Sequence, residues 1–185
     1  MKRLSGIKDV KEASGEYKRP EAGGYVCTIR DVEDVTDKEY LSIEYDIAEG
    51  EFRDYFKELN DKHGFWAGKF VKSYKEKALS FFKSFCTAVT ESNDKFIFDG
   101  DKYTDEKTLI GKRIGLVLGE EDYTKQDGSL GSKLYVAQTL SVDRIRKGDF
   151  KVPEYKHKNG DSSPAPTGGE IVPPTPSIED ELPFK

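Results

Sequence analysis

Apolar and polar residues alternate along two early stretches of the chain. In GGYVCTIRDVEDV, opened by Gly23 and Gly24, Tyr25, Cys27 and Ile29 share one face while Thr28 and Arg30 share the other, the period of a strand. After a turn at Thr36, Asp37 and Lys38, YLSIEYDI sets Leu41, Ile43, Tyr45 and Ile47 against Tyr40, Ser42, Glu44 and Asp46, which predicts a second, half-buried strand. A turn at Ala48, Glu49 and Gly50 leads into EFRDYFKEL. Here Phe52 and Phe56 interleaved with Arg53, Tyr55 and Lys57 read as a third strand with a cationic, aromatic outer face. A loop from Asn60 to Phe70 follows, and the period then changes: Tyr74, Ala78, Phe81, Phe85 and Val89 recur at helical spacing through residues 75–90. Phe81, Phe82 and Phe85 are assigned to the core as the face that seals the sheet. Beyond Asp99, Gly100 and Asp101, GKRIGLVLGEEDY and SKLYVAQTLSVDRI predict two more strands, joined by a hairpin whose tip carries Asp127 and Gly128.

Three strands, a helix and two strands is the order of the oligonucleotide-binding (OB) fold, so the predicted class is mainly β: a five-stranded OB-fold barrel with one helix between strands 3 and 4. The predicted organisation is an N-terminal arm over 1–20, the barrel over 21–156, a linker over 157–177 and an acidic tip over 178–185. The linker composition, KNGDSSPAPTGGEIVPPTPS, is too poor in apolar groups to offset the entropy of ordering, which predicts a disordered C-terminal tail.

Of 185 residues, 35% are hydrophobic and 35% charged, yet there are 10 Tyr and 11 Phe, an aromatic surplus for a modest core. Cys27 and Cys86 fall on core faces and are expected as reduced thiols, and no transmembrane run or secretory leader is read, which points to the cytoplasm. With only His63 and His157 beside those cysteines, no zinc spacing exists, and neither a phosphate loop nor a nucleophile elbow is present. The chain is read as not an enzyme, with no cofactor and no metal. Acid clusters such as Asp31, Glu33 and Asp34, or Glu120, Glu121 and Asp122, are read as solvated charge. The net charge is −5, and much of it lies in the tail, where five acids oppose two lysines after His157.

The chain closes on SIEDELPFK. Glu179, Asp180 and Glu181 followed by Leu182, Pro183 and Phe184 resemble the acidic C-terminal tip of bacterial and bacteriophage single-stranded-DNA-binding proteins. Over residues 20–156, AGGYVCTIRDVEDV, EYLSIEYDIAEGEF, FVKSYKEKALSFFKSF and YVAQTLSVDRIRKGDFKVPE are similar to small phage proteins of that kind. The resemblance implies sequence-independent protection of single-stranded DNA during phage DNA replication and recombination in the host cytoplasm. It also implies recruitment of replication and recombination proteins by Glu179–Phe184, and a tail that competes with DNA. This chain departs from the pattern in one respect: Lys185 follows Phe184 and moves the terminal carboxylate one residue along. The alternative reading is a protein-interaction adaptor with a structural barrel. No membrane partner is expected, and the assembly state is a monomer or a homodimer.

A single-strand binder needs aromatic platforms for bases, each worth roughly 1–3 kcal/mol, and cations that follow the phosphates. Three patches qualify as DNA-binding. The first is Arg53, Tyr55 and Lys57 with Arg30 and Tyr40 on adjoining strands. The second is the loop carrying Lys62, Phe65, Trp66 and Lys69, and the third is the hairpin with Tyr123, Lys125 and Lys133.

Overall fold

The computed structural model describes residues 18–100, 105–125 and 127–157. Most of the predicted arm (1–20), most of the linker (157–177) and the whole tip (178–185) lie outside them. The architecture is mainly β: strands β1 (Gly23–Val35), β2 (Tyr40–Ile47), β3 (Lys69–Ser73), β4 (Arg113–Thr124) and β5 (Leu130–Leu140) form one antiparallel sheet in the order β3-β2-β1-β4-β5. Helix α1 (Tyr55–His63) lies between β2 and β3, α2 (Leu79–Glu91) between β3 and β4, and α3 (Val142–Arg146) follows β5. Among the described residues no helix is long and apolar enough to cross a membrane.

The alternation read from the sequence sets the main core. Cys27, Ile29, Leu41, Ile43, Tyr45 and Ile47 share its face with Phe70, Ile114, Leu116 and Leu118, and the register Cys27↔Ile47 and Cys27↔Ile114 keeps them there across three strands. A bulge between Ile29 and Asp31 shifts the phase of β1 by one residue, so that Val32 rather than Asp31 returns to the core.

Three expectations are corrected. EFRDYFKEL is not a strand: it is a turn followed by α1, and the third strand is Lys69–Ser73, which straddles the end of the predicted Asn60–Phe70 loop and the residues before the predicted helix. Phe52, Tyr55, Phe56 and Leu59 stand at positions i, i+3, i+4 and i+7, a helical stripe that the apparent alternation of Phe52 and Phe56 conceals. The stripe packs on the core, where Phe56 and Leu59 are buried and the Phe56 ring meets Tyr45 edge-on at 5.1 Å. Asp46 secures the helix start: its carboxylate accepts from the backbone N–H of Phe56 and Lys57 as well as Ile47, at 2.9–3.2 Å. Gly64, in a left-handed conformation, ends it.

The second correction concerns closure. No ladder joins β3 to β5 among the described residues, so the sheet is not closed into a barrel. Helix α2 occupies the gap, packed on both edge strands with Phe85, Cys86, Ala88 and Val89 buried. The sequence places Phe81 in the core with Phe85; Phe85 is fully buried, Phe82 packs partly against the core, and Phe81 is 53% exposed.

On the outer face of β1 and β4, Val26 and Val117 form a smaller core with Val142 and Ile145 of α3. The chain then runs back over that face as a strap, residues 149–157. Phe150 lies so close on Gly24, and Pro153 and Tyr135 on Gly119, that a Cβ at either glycine would sit within 3 Å of those rings. Where β1 stops pairing with β4 at Leu118, the strap takes over: Asp122 N–H donates to Lys156 O and Lys156 N–H to Glu120 O, both at 3.0 Å.

Candidate nucleic-acid interface

The first predicted patch is dispersed. Tyr40 is buried, and Tyr55 is half-buried among Phe52 and Phe56, with ring centroids 6.1 and 5.2 Å away. Arg53 is exposed in the turn before α1 and pairs with Asp54 at 3.4 Å, and Lys57 pairs with Asp61 at 3.0 Å along α1. Arg30 is exposed at the bulge of β1 and acts electrostatically on Lys57, so these two cations do share a neighbourhood. The loss of the third strand removes the common face on which all five were expected.

The second patch is partly structural. Trp66 is half-buried, and its indole N–H donates to both Tyr45 O (3.2 Å) and Gly68 O (3.1 Å), which holds the ring as a brace between β2 and β3. Phe65 is half-buried with its ring 6.0 Å from His63, Lys62 is exposed on α1, and Lys69 pairs with Glu44 across β2 and β3 at 2.7 Å.

The third patch is a hairpin, as predicted, and it is larger than the sequence suggests. Antiparallel register puts Gly119↔Tyr135, Glu121↔Lys133 and Tyr123↔Gly131 on one face. Tyr123 lies over Gly131, whose missing side chain leaves room for its ring. Lys133 pairs with Glu121 at 3.1 Å. Lys125 sits in the turn, its N–H donating to Ser129 O at 2.8 Å. Tyr135 joins this face, and the strap delivers Lys156, whose ammonium stands 3.9 Å from the Tyr135 ring centroid. Sequence reading missed both. Tyr135 was legible from alternation along β5, whereas Lys156 lies more than 20 residues from its aromatic partner and carries no local signal.

A further concave surface escaped the sequence entirely. Between α2, β3 and the end of β5 runs a groove of about 670 Å³, lined by Lys72, Lys83, Arg144, Phe81, Gln138 and several Ser and Thr hydroxyls, with Glu91 its single acid among the described residues. Helix α2 builds one wall because its apolar stripe turns Phe85 and Val89 inward and leaves Ser80, Phe81, Lys83, Ser84 and Thr87 outward. Arg144, from α3, is oriented by Asp149, its Nε donating at 2.8 Å. β5 links the two surfaces: Lys133 and Tyr135 lie on the hairpin face, and Ala137–Leu140 line the groove. From Lys133 to Leu140 this track measures about 23 Å at about 3.3 Å per residue.

Burial pushes the Cys27 thiol well up and that of Cys86 up to about 11, so both stay protonated. Among the described residues no cluster of His, Cys, Asp and Glu fits a metal ion. Compared with family models and with curated proteins, the chain matches none.

Proposed function

We propose that the protein binds single-stranded DNA along the β5 track, from the hairpin face of Tyr123, Tyr135, Lys133 and Lys156 to the groove at α2. The observation that carries this reading is Phe81: a large aromatic ring left half in water on the outer side of a helix, in a groove with Lys72, Lys83 and Arg144. A stacked base would cover such a ring, and the lysines and arginine would follow the phosphates. A duplex, whose bases are already stacked on one another, gains nothing from the ring. The sheet order β3-β2-β1-β4-β5, with α2 between β3 and β4, supports an opened OB barrel as the fold, and the tip Glu179–Phe184 supports recruitment of replication and recombination proteins.

The test is fluorescence anisotropy with labelled oligo-dT and a matched duplex. Wild type is expected to prefer the single strand. Phe81→Ala is expected to weaken it about fivefold to a hundredfold, the loss of one stack, and Lys83→Ala to flatten the plot of log affinity against log salt by about 0.7. Equal binding of both nucleic acids, or a Phe81→Ala variant that binds as wild type, would remove this reading in favour of an adaptor.

A further inference from the structure

A row of three charged side chains crosses the β4–β5 hairpin and the strap, with Glu121 at its centre. Antiparallel register sets Lys133 opposite Glu121 on β5, and the parallel bridge to the strap sets Lys156 opposite it on the other edge of β4. Residues paired in this way project to the same side of a sheet. The Lys133 ammonium accordingly lies 3.1 Å from Glu121 Oε1, and that of Lys156 lies 4.0 Å from Oε2. Two positions along in either direction stand the rings of the same face, Tyr135 opposite Gly119 and Tyr123 opposite Gly131. The adjoining acids Glu120 and Asp122 alternate to the other side, where Arg19 and Tyr155 bond them. We propose that Glu121 is an internal stand-in for a backbone phosphate: in the free protein its carboxylate engages Lys133 and Lys156, and a single strand binds by putting a phosphate in its place. The inference rests on the reading of this face as the DNA site and adds a residue that restrains its affinity.

A carboxylate and a phosphate offer a lysine the same partner, an anionic oxygen that accepts from its ammonium. With Glu121 ionised, the row of one acid and two lysines carries one positive charge instead of two. A phosphate arriving between the two tyrosines therefore meets cations already engaged, and it must displace the carboxylate and bear its repulsion. The lysines keep their places without Glu121. Lys133 belongs to the β5 ladder. Lys156 is fixed by two backbone hydrogen bonds to β4, and its ammonium also stands 3.9 Å from the Tyr135 ring centroid. All three side chains are partly exposed, so a ligand reaches the row from solvent.

The experiment measures oligo-dT affinity of the full chain by fluorescence anisotropy over a series of salt concentrations. Glu121→Gln is expected to bind about twofold to fivefold more tightly than wild type, the scale of a partly exposed ion pair. It is also expected to steepen the plot of log affinity against log salt by about 0.7, one more phosphate neutralised. A purely structural role for Glu121 predicts the opposite sign, because loosened lysines bind less well. Glu44→Gln serves as the control: it removes an acid paired with Lys69 at 2.7 Å, outside the proposed track, and is expected to give the smaller gain of a remote charge. In a Lys133→Ala background the gain from Glu121→Gln is expected to shrink, since the closer of the two competing pairs is already gone. An equal gain with and without Lys133, or a gain from Glu44→Gln as large as that from Glu121→Gln, overturns the stand-in. If wild type binds and Glu121→Gln binds no more tightly, the stand-in falls and the nucleic-acid reading stands. If none of these proteins binds oligo-dT at low salt, the nucleic-acid reading falls and the stand-in with it.

Discussion

Asp46 shows how a single side chain settles local structure. It lies on the outer side of β2, 2% exposed, yet its carboxylate serves three backbone N–H groups, two of them in the first turn of α1. Burial raises its carboxyl above the ordinary value and the backbone hydrogen bonds partly restore it. Asp46→Ala is therefore expected to cost about 1–2 kcal/mol in a denaturant melt, the scale of a lost cap, and Asp46→Asn less, since it keeps one acceptor. The sign of the pH effect follows from a raised native value. The penalty for ionising is absent below the ordinary carboxyl range and complete above the raised native value, so wild type should lose stability relative to Asp46→Asn as the pH rises through the ordinary carboxyl range and past it. Cys27 and Cys86, buried with raised thiols, are expected to resist a thiol reagent at neutral pH in the native state and to react once the chain is unfolded; rapid native labelling of both would contradict the packing described.

At the scale of elements, α2 has two aromatic faces with different tasks. Phe85→Ala is expected to destabilise the protein by about 3–5 kcal/mol, the usual loss for a buried Phe. Phe81→Ala should change stability by no more than about 0.5 kcal/mol while weakening oligo-dT binding; thermal melts alongside anisotropy separate the two. The strap makes a comparable test. In Gly24→Ala the new methyl would meet the Phe150 ring, at 2.3 Å before any shift, so a loss of about 1–3 kcal/mol is expected, with faster amide exchange across the strap. Periodicity alone placed α2 correctly in its inward stripe and erred at Phe81, which sits one step off that stripe beside Phe82. It erred more fully at α1 and the turn before it, where Phe52, Tyr55, Phe56 and Leu59 satisfy the helical template and, over a shorter window, resemble a strand.

At the scale of the whole molecule, charge outside the described residues bears on the site. The segment after His157 carries five acids and two lysines, and as a tether it would raise the local concentration of negative charge near the β5 track. Truncation after His157 is expected to strengthen oligo-dT binding at low salt, with the gain fading as the Debye length contracts. A truncated protein that binds no better at any ionic strength would free the tail from that role. The cut is placed after His157 so that the strap and Lys156 stay intact.

What the sequence determined by itself is the local alternation. The inward residues of β1 and β2, the existence of β4 and β5, the hairpin at Asp127 and Gly128, the inward stripe of α2 and the two buried cysteines are legible, because each depends on a period or turn within about ten residues. Tertiary structure decided the rest. Whether Phe52–Leu59 is strand or helix depended on Asp46 ten residues away and on Tyr45 as a packing partner. Whether the sheet closed depended on α2 occupying the space between β3 and β5. The groove around Phe81 and the pairing of Lys156 with Tyr135 join elements far apart in the chain, and a relation between distant segments has no period for a sequence to display.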